Sequence, residues 1–478
     1  MASSRRLIQG ALIAAALAAG SAAPAQPPKA VQHAKAVQHA KAAQRANAVP
    51  LPKPADQKEF QFALQNGMQV IVVPDHRAPV ITQMLWYRVG AVDDPPGIGG
   101  LAHFFEHMMF RGTTANPGNA FSLTVARNGG EDNAFTTHDY TAFYEQIAKD
   151  RMRLVMGLEA DRIANLDLSD ANVRTERDVV MEERRMRIDN DPQSLMREQM
   201  EAALYLSHPY GRPVIGWPDE IRHIDRASAQ EYYQRHYAPN NAILVIAGDV
   251  TPDEVRAAAE AEYGKLTARE LVPRWEFAQP ARLGETRLDV ARSDVKVPLF
   301  FRLYRVVSYP EARPGQAEAL ETLAQLIGGD STSALYRKLV VEKKLASDAG
   351  ASYDGYTRDD GEFSVYAIPR PGVRLDQVEQ AVDEILKDAA STLPNPAELT
   401  RAKTQLVADA IYRRDNQYEM ASAYGQALAI GLTADDVDQW PSRIRAVQPA
   451  QVKDAAARSL NRRDAVSGYL SPAQGAQR

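Results

Sequence analysis

The H-x-x-E-H string formed by His103, Glu106 and His107 constrains this chain more than any other feature. In a helix, residues four apart lie on the same face, so the two imidazoles could bind one metal ion. Glu106 lies near the same side, where a carboxylate can act as a base beside the metal. The surrounding residues 101–110 are mostly apolar, which predicts a buried helix whose polar side chains need partners. A metal ion would be such a partner, and two unrelated histidines on a helix are the alternative.

A catalytic zinc ion usually has three protein ligands and keeps one position open for water. The sequence must therefore supply a third ligand in addition to the two histidines. The best candidate region is 175–185, a strongly charged segment that is predicted as a helix and contains Glu176, Glu182 and Glu183. A solvated helix face with ion pairs between residues four apart is the alternative for this segment.

With these motifs the chain resembles the pitrilysin/insulinase family of zinc metallopeptidases, or inverzincins. It is most similar to small two-domain bacterial members and to the subunits of mitochondrial processing peptidase. In that family an earlier Glu begins an E-R string, and the third ligand follows it on the same helix. Glu176 begins this string here, so the resemblance implies Glu183, seven residues later, as the ligand. Glu182 is the adjacent alternative, and its interpretation as a solvated residue is favoured.

The resemblance also assigns roles around one Zn²⁺ ion per chain. It implies His103, His107 and Glu183 as ligands and Glu106 as the general base. Glu176 lies two helical turns before Glu183 on the same face, and it is implied as the group that orients a ligand histidine.

The segment 133–141 is similar to the family's N-A-x-T-x-x-x-x-T stretch. The resemblance implies an edge strand near the zinc ion, along which an extended peptide substrate lies, with Asn133 as a substrate contact. A free strand edge offers unpaired N–H and C=O groups to such a peptide. A turn residue is the alternative for Asn133. His138 is interpreted as an ordinary strand or loop residue, and the loop around His208 as architectural.

One position pair departs from the family. In active members the zinc-free half supplies an Arg and a Tyr, seven residues apart, that hold the substrate and the oxyanion. Val340 and Ser347 occupy these places, and neither can donate comparably to a developing oxyanion. Tyr336 and Arg337 stand in the wrong register. We therefore expect a dimer that encloses the substrate, with a related chain supplying the Arg/Tyr pair. A homodimer is the alternative.

Composition limits the other possibilities. A chain of 478 residues is too long for one core and suits two domains, and 45% hydrophobic with 24% charged residues is typical of a globular protein. The net charge of −5 gives no support for binding nucleic acid. The absence of cysteine excludes disulfides and thiol nucleophiles.

The first 25 residues have the pattern of a signal peptide. Arg5 and Arg6 precede an apolar run that is too short to span a membrane, and an A-x-A site ends at Ala25. This predicts export to the periplasm or outside, with no membrane span after cleavage. An uncleaved anchor is the alternative. Residues 26–57 are predicted as a low-complexity linker, in which His33 and His39 are interpreted as parts of a solvated spacer.

The fold class predicted from the remaining pattern is α+β, with two homologous α/β sandwich domains, each an antiparallel sheet covered by helices. The first would be the zinc-binding domain, 58–270, which begins with a hairpin closed at Asn66-Gly67. A linker, 271–284, precedes a second domain, 285–472, without zinc ligands.

The predicted function is zinc-dependent endopeptidase activity on peptides or unfolded segments. A non-catalytic or partner-dependent binding subunit of a heterodimeric peptidase is the alternative. A hydrolase with another nucleophile is disfavoured, because the chain has neither a G-x-S-x-G motif nor a cysteine.

Overall fold

The computed structural model describes residues 59–473, in which eleven strands form two sheets of six and five strands. The strands of the first sheet are β1 (Phe60–Ala63), β2 (Gln69–Pro74), β3 (Val80–Tyr87), β4 (Glu131–Thr136), β5 (Thr141–Ala148) and β6 (Ala242–Gly248). Those of the second sheet are β7 (Thr286–Arg292), β8 (Leu299–Val306), β9 (Ala346–Asp354), β10 (Gly361–Pro369) and β11 (Ala465–Pro472).

Helices cover both sheets. The helices before the second sheet are α1 (Leu101–Met108), α2 (Ala120–Arg127), α3 (Met152–Asn165), α4 (Asp170–Arg184), α5 (Pro192–Leu204), α6 (Pro218–Arg222), α7 (Arg226–His236) and α8 (Pro252–Glu262). The later helices are α9 (Gln316–Gly328), α10 (Leu375–Ser391), α11 (Pro396–Arg413), α12 (Gln417–Ala429), α13 (Ala434–Ala446) and α14 (Pro449–Ser459). Two π-helical turns are Arg185–Asp189 and Tyr336–Glu342. Short 3₁₀ turns are Ala91–Asp93, Lys149–Arg151, Pro209–Gly211, Pro239–Asn241 and Arg462–Asp464.

The first sheet has the order β1-β2-β6-β3-β5-β4. The predicted hairpin at its start is confirmed: β1 and β2 are antiparallel, and Gly67 adopts a positive φ of 85° in the turn. Only Gly adopts this conformation without strain, which explains the Asn-Gly signal. All neighbouring strands are antiparallel except β2 and β6, and β6 is buried along its whole length. Strand β4 ends the sheet and pairs with β5.

The second sheet repeats this plan with the order β7-β11-β8-β10-β9, and its one parallel pair is β7 with β11. The predicted α+β class with two helix-covered sheets is therefore confirmed. The structure adds one detail to this prediction. Each largely antiparallel sheet includes one parallel pair of strands. Parallel neighbours need a crossover connection, which the helices between the paired strands supply.

Each sheet has one face covered by a helix from the other half of the chain. Helix α12 packs on the first sheet, where Met420 and Tyr424 belong to one buried cluster with Trp86. Helix α5 packs on the second sheet, where Met196 and Met200 join a cluster with strands β8 and β11. The remaining helices that pack on each sheet come from its own half and form the larger cores. The central strands of both sheets are thus buried on both faces.

The segment between α8 and β7 contains no helix or strand and includes the predicted linker. It is attached to the first half, because Arg274 donates to the backbone carbonyl of Asp139 at 2.6 Å and pairs with Asp93. The predicted boundaries at 270 and 285 remain predictions. The predicted signal peptide and the low-complexity linker, 26–57, with His33 and His39, lie outside the described residues. Within residues 59–473, no helix is long and apolar enough to cross a membrane.

Candidate metal centre

Helix α1 carries the H-x-x-E-H string, and its start is fixed by two devices. Gly100 has a φ of 88°, and a Cβ there would lie 2.5 Å from the carbonyl oxygen of Ile215. The carboxylate of Asp94 accepts hydrogen bonds from the backbone N–H groups of Gly100 (2.7 Å) and Ala102 (2.9 Å). These bonds satisfy two donors that a helix start leaves unpaired. Burial raises the pKa of the Asp94 carboxyl to about 7, against the opposing effect of these bonds.

The structure brings His103, His107 and Glu183 together, with one ligand atom of each within 4.8 Å of the others. Oε2 of Glu183, near the end of α4, lies 3.0 Å from Nε2 of His107 and 3.8 Å from Nε2 of His103. The two imidazole centroids are 4.8 Å apart. Two nitrogens and one carboxylate oxygen that converge in this way form a typical set of three zinc ligands.

Glu176, which lies two helical turns before Glu183 on α4, orients His107. Its Oε1 lies 2.7 Å from Nδ1 of His107, and its other oxygen accepts from Nε of Arg111. Burial opposes ionisation, but the hydrogen bonds from His107 and Arg111 lower the pKa of Glu176. With its Nδ1 proton directed at Glu176, a neutral His107 presents the lone pair of Nε2 to the centre.

The surroundings of Glu183 fit a bound cation. Oε2 of Glu183 is buried and has no hydrogen-bond partner among the described residues, although Nε2 of His107 faces it. Burial lowers the pKa of His107, yet the nearby carboxylates of Glu176 and Glu183 outweigh it and raise this pKa to about 9. Burial, with the charge of His107, lowers the pKa of His103 to about 3. Two imidazole nitrogens and a carboxylate oxygen without a hydrogen-bond partner thus face one point, and this donor set fits zinc.

Glu106 stands beside these ligands and outside their set. Its Oε2 accepts a hydrogen bond of 2.6 Å from Oγ1 of Thr136, on strand β4. Burial raises the pKa of Glu106 despite this bond. A half-buried carboxyl with a raised pKa, next to the imidazole of His107, has the properties of a general base.

Asn133 lies on β4, the strand that ends the first sheet. It is half-buried, and its Oδ1 accepts from the N–H of Ala134 at 2.8 Å. The alternative assignment to a turn is wrong, because Asn133 is paired with Tyr144 inside the sheet. Its role as a substrate contact remains a prediction.

Several other residues lie where the sequence analysis expected them. Glu182 is exposed and pairs with Arg185, as expected for a solvated residue. Nε2 of His138 faces the backbone oxygen of Arg212, so this histidine has a structural partner. His208 is buried, and its Nε2 lies 2.9 Å from Oδ2 of Asp359 in the second half.

The positions that correspond to the family's Arg and Tyr lie in the second half. Val340 is buried in the core of that half, and Ser347 donates to the backbone oxygen of Ile368 at 3.2 Å. Arg337 forms an ion pair with Glu398 at 2.7 Å. Among the described residues of the second half, no three metal-ligand side chains converge.

Sequence reasoning did not assign four residues that contact the site: Asp94, Arg111, Thr136 and Arg187. One of them carried a signal that helical spacing could have revealed, because Arg187 follows Glu183 by four residues. Arg111 lies beyond the end of α1 and contacts Glu176 on α4. Asp94 and Thr136 reach α1 from other segments, and nothing in the local sequence indicates these contacts.

Two family models match this chain. The model described as insulinase, peptidase family M16, matches residues 69–217, which contain the H-x-x-E-H string and Glu183. The model described as the peptidase M16 inactive domain matches residues 223–406. The matched ranges thus place the metal-ligand side chains in the first model and the positions of Val340 and Ser347 in the second.

Named relatives agree with these matches. The zinc protease PqqE of Helicobacter pylori is 28% identical over 374 residues, 78% of this chain and 83% of the relative. The zinc protease Mb2805c of Mycobacterium bovis is 30% identical over 327 residues, 67% of this chain and 72% of the relative. A probable mitochondrial-processing peptidase subunit beta of Arabidopsis thaliana is 24% identical over 86% of this chain and 78% of that protein.

A solved structure of a protease from Helicobacter pylori has the same fold, with a TM-score of 0.82 and 24% identity. It is covered completely and corresponds to 87% of this chain. The chain therefore belongs to the M16, or insulinase, family of peptidases, whose relatives here are named zinc proteases.

Proposed function

We propose that this protein is a zinc-dependent endopeptidase that cleaves peptides or unfolded protein segments. One observation carries the proposal. His103, His107 and Glu183 converge on one point, with Glu106 beside them. This arrangement provides three ligands and a separate base, which is the minimum that metal-assisted hydrolysis requires.

The residues around the proposed metal site have different roles in the proposed hydrolysis. When bound, a zinc ion would polarise a scissile carbonyl and lower the pKa of water at its open position. Glu106 takes a proton from the attacking water and later gives it to the leaving amine. Thr136 holds one oxygen of Glu106, and Glu176 holds the ring of His107. These contacts fix both groups before the substrate arrives, which reduces the entropic cost of reaching the reactive geometry.

The proposed substrate position is the free side of strand β4. This strand ends the sheet, and Thr136 on it contacts Glu106 directly. An extended peptide added to this edge would run past the base and the metal ligands, with Asn133 as one contact. Recognition through backbone groups tolerates many sequences, so we expect peptides and unfolded segments as substrates.

The protein is further proposed to act as a dimer in the periplasm or outside the cell. The dimer is supported by Val340 and Ser347, which leave the second half without the Arg/Tyr pair that the family resemblance implies. We favour a related chain as the partner. The likeness to a named subunit of a processing peptidase supports this preference. Export is supported by the signal-peptide pattern of residues 1–25.

The second candidate is a binding subunit without activity of its own. It is favoured by the buried side chain of Val340 and the backbone-bonded hydroxyl of Ser347, neither of which can stabilise an oxyanion. The complete ligand set in the first half argues for the enzyme.

Hydrolysis of a quenched fluorescent peptide library separates these candidates. The exported part of the chain, residues 26–478, would be assayed with zinc, with a chelator and as Glu106→Gln, each alone and with a related partner chain. Chelator-sensitive cleavage that Glu106→Gln abolishes supports the enzyme, and cleavage only with the partner supports a shared site. Zinc binding without cleavage in either case supports the binding subunit.

The third ligand has its own matched test. We expect Glu183→Gln to lose bound zinc, whereas Glu182→Gln keeps it, because only Glu183 faces the histidines. Zinc content after dialysis, measured by atomic emission, decides between the two. Equal zinc content in both variants would contradict the assignment of Glu183.

A further inference from the structure

The helix that carries Glu183 changes from α-helical to π-helical geometry after Arg184. Helix α4 ends at Arg184 and continues as the π-helical turn Arg185–Asp189, in which the N–H of Asn190 donates to the carbonyl of Arg185 at 3.1 Å. Insertions of this kind are often found at functional sites. The turn is anchored, because buried Arg184 donates to both carboxylate oxygens of Glu198, at 2.6 and 2.9 Å.

Within this turn, Arg187 contacts the proposed metal ligand. Its Nη1 lies 2.5 Å from Oε1 of Glu183, and its side chain is 44% exposed. The other oxygen of the same carboxylate, Oε2, faces the Nε2 atoms of His103 and His107. The two oxygens therefore have different surroundings: one has a guanidinium, and the other has two imidazoles.

This division matters because a carboxylate can bind a metal ion through one oxygen or through both. A second oxygen from Glu183 would take up space at the open position that water or substrate needs. An ion pair between a guanidinium and Oε1 competes with that second bond. Groups outside the ligand set commonly control ligands in this way, with effects of about 10–100-fold on metal affinity or activity.

We propose that Arg187 is a positioning residue that commits Glu183 to bind the metal ion through Oε2 alone, keeping the open coordination position free. The inference rests on the metal site of the proposed function. Arg187 would contact neither the metal ion nor the substrate. The π-helical turn places its side chain beside Glu183.

Cobalt(II) in place of zinc reports the coordination number. Its visible absorption bands weaken when a four-coordinate site gains a fifth ligand. We expect Arg187→Gln to bind cobalt with bands weakened several-fold and to lose kcat by roughly 10–100-fold. Arg187→Lys, which keeps a charged donor, should recover part of both. Arg185→Gln is the matched control, because Arg185 lies in the same turn but pairs with exposed Glu182.

The outcomes separate this inference from the proposed function. A wild-type protein that binds neither cobalt nor zinc overturns the metal site and this proposal together. Cobalt bands in Arg187→Gln that match those of wild type and Arg185→Gln overturn the role of Arg187 alone. Thermal unfolding of the metal-free variants is the remaining control. A loss of kcat that accompanies a lowered Tm, with unchanged cobalt bands, would assign Arg187 to folding and overturn positioning.

Discussion

Glu176 accepts a hydrogen bond from His107, and Thr136 donates one to Glu106. These two residues, which are not metal ligands, thereby determine how the side chains of α1 are oriented. The contact of Thr136 could not be read from the local sequence, because this residue lies on another element, whereas the role of Glu176 was implied by the family resemblance. At the scale of single residues, these two contacts orient the proposed base and one of the proposed ligands.

The contribution of Glu176 can be measured as metal affinity. We expect Glu176→Gln to bind zinc about 10–100-fold more weakly, because His107 and Arg111 both lose a charged acceptor. Competition with a chromophoric chelator measures the dissociation constant. Glu182→Gln, an exposed glutamate on the same helix, is the control and should match wild type. Unchanged affinity in Glu176→Gln would contradict the orienting role.

The hydroxyl of Thr136 has a separate test. Thr136→Val removes the donor to Glu106, and hydrogen bonds to charged groups contribute about 1.5–3 kcal/mol. We expect kcat/KM to fall roughly tenfold or more while zinc content is unchanged. Thr137→Val is the neighbouring control, since its hydroxyl faces the carbonyl of Tyr140. Equal losses in the two variants would point to a general effect on the strand.

At the scale of elements, the start of α1 depends on Asp94, which lies outside the helix. Two backbone N–H groups at the start of the helix donate hydrogen bonds to its carboxylate. Asp94 is 4% exposed, and its burial raises its pKa to about 7. In the unfolded chain the same carboxyl has a pKa of about 4. The stability contributed by the contact of Asp94 with α1 is therefore linked to pH.

This linkage has a defined sign. Because the folded pKa is the higher one, the folded chain keeps a proton that the unfolded chain loses between pH 4 and 7, approximately. The free energy of unfolding of wild type, relative to Asp94→Asn, should fall as pH rises through this range and stay constant above it. Urea unfolding of the metal-free proteins between pH 5 and 8 measures the difference. A difference that increases with pH would show that Asp94 is stabilised as the ion.

At the scale of the whole molecule, each half of the chain contributes one helix that packs on the sheet of the other half. Helix α12 covers the first sheet, and α5 covers the second. Both contacts are close: a Cβ on Gly425 of α12 would lie 2.0 Å from Nε1 of Trp86, and one on Gly468 of β11 would lie 2.4 Å from Sδ of Met200. Neither half can therefore bury its own sheet completely, and we expect the two to unfold together.

The contact at Gly425 gives a stability prediction. Gly425→Ala adds a methyl group where no space exists, so we expect a loss of about 1–3 kcal/mol in the free energy of unfolding. Gly157→Ala is the control in α3, where the added Cβ would meet only Oε2 of Glu262 at 3.7 Å. Because Ala favours helices over Gly, this variant should gain up to about 1 kcal/mol. Equal effects of both substitutions in urea unfolding would contradict the close packing of α12.

The sequence by itself determined the features that depend on short-range geometry. His103, Glu106 and His107 could be recognised because a helix fixes the relation of residues three and four apart. The hairpin at Asn66-Gly67 followed from turn chemistry, and the fold class from the alternation of strand and helix patterns. Glu183 needed the family resemblance in addition, because no local rule relates it to a histidine on another helix.

The tertiary structure alone decided which distant groups meet. It placed Asp94 and Thr136 against α1, and it assigned α5 and α12 to sheets of the opposite halves. A single sequence records periodicity along the chain, whereas these contacts depend on how whole elements pack. Their partners are set by the burial of apolar faces, which many alternative pairings of elements could satisfy equally well until the complete fold selects one.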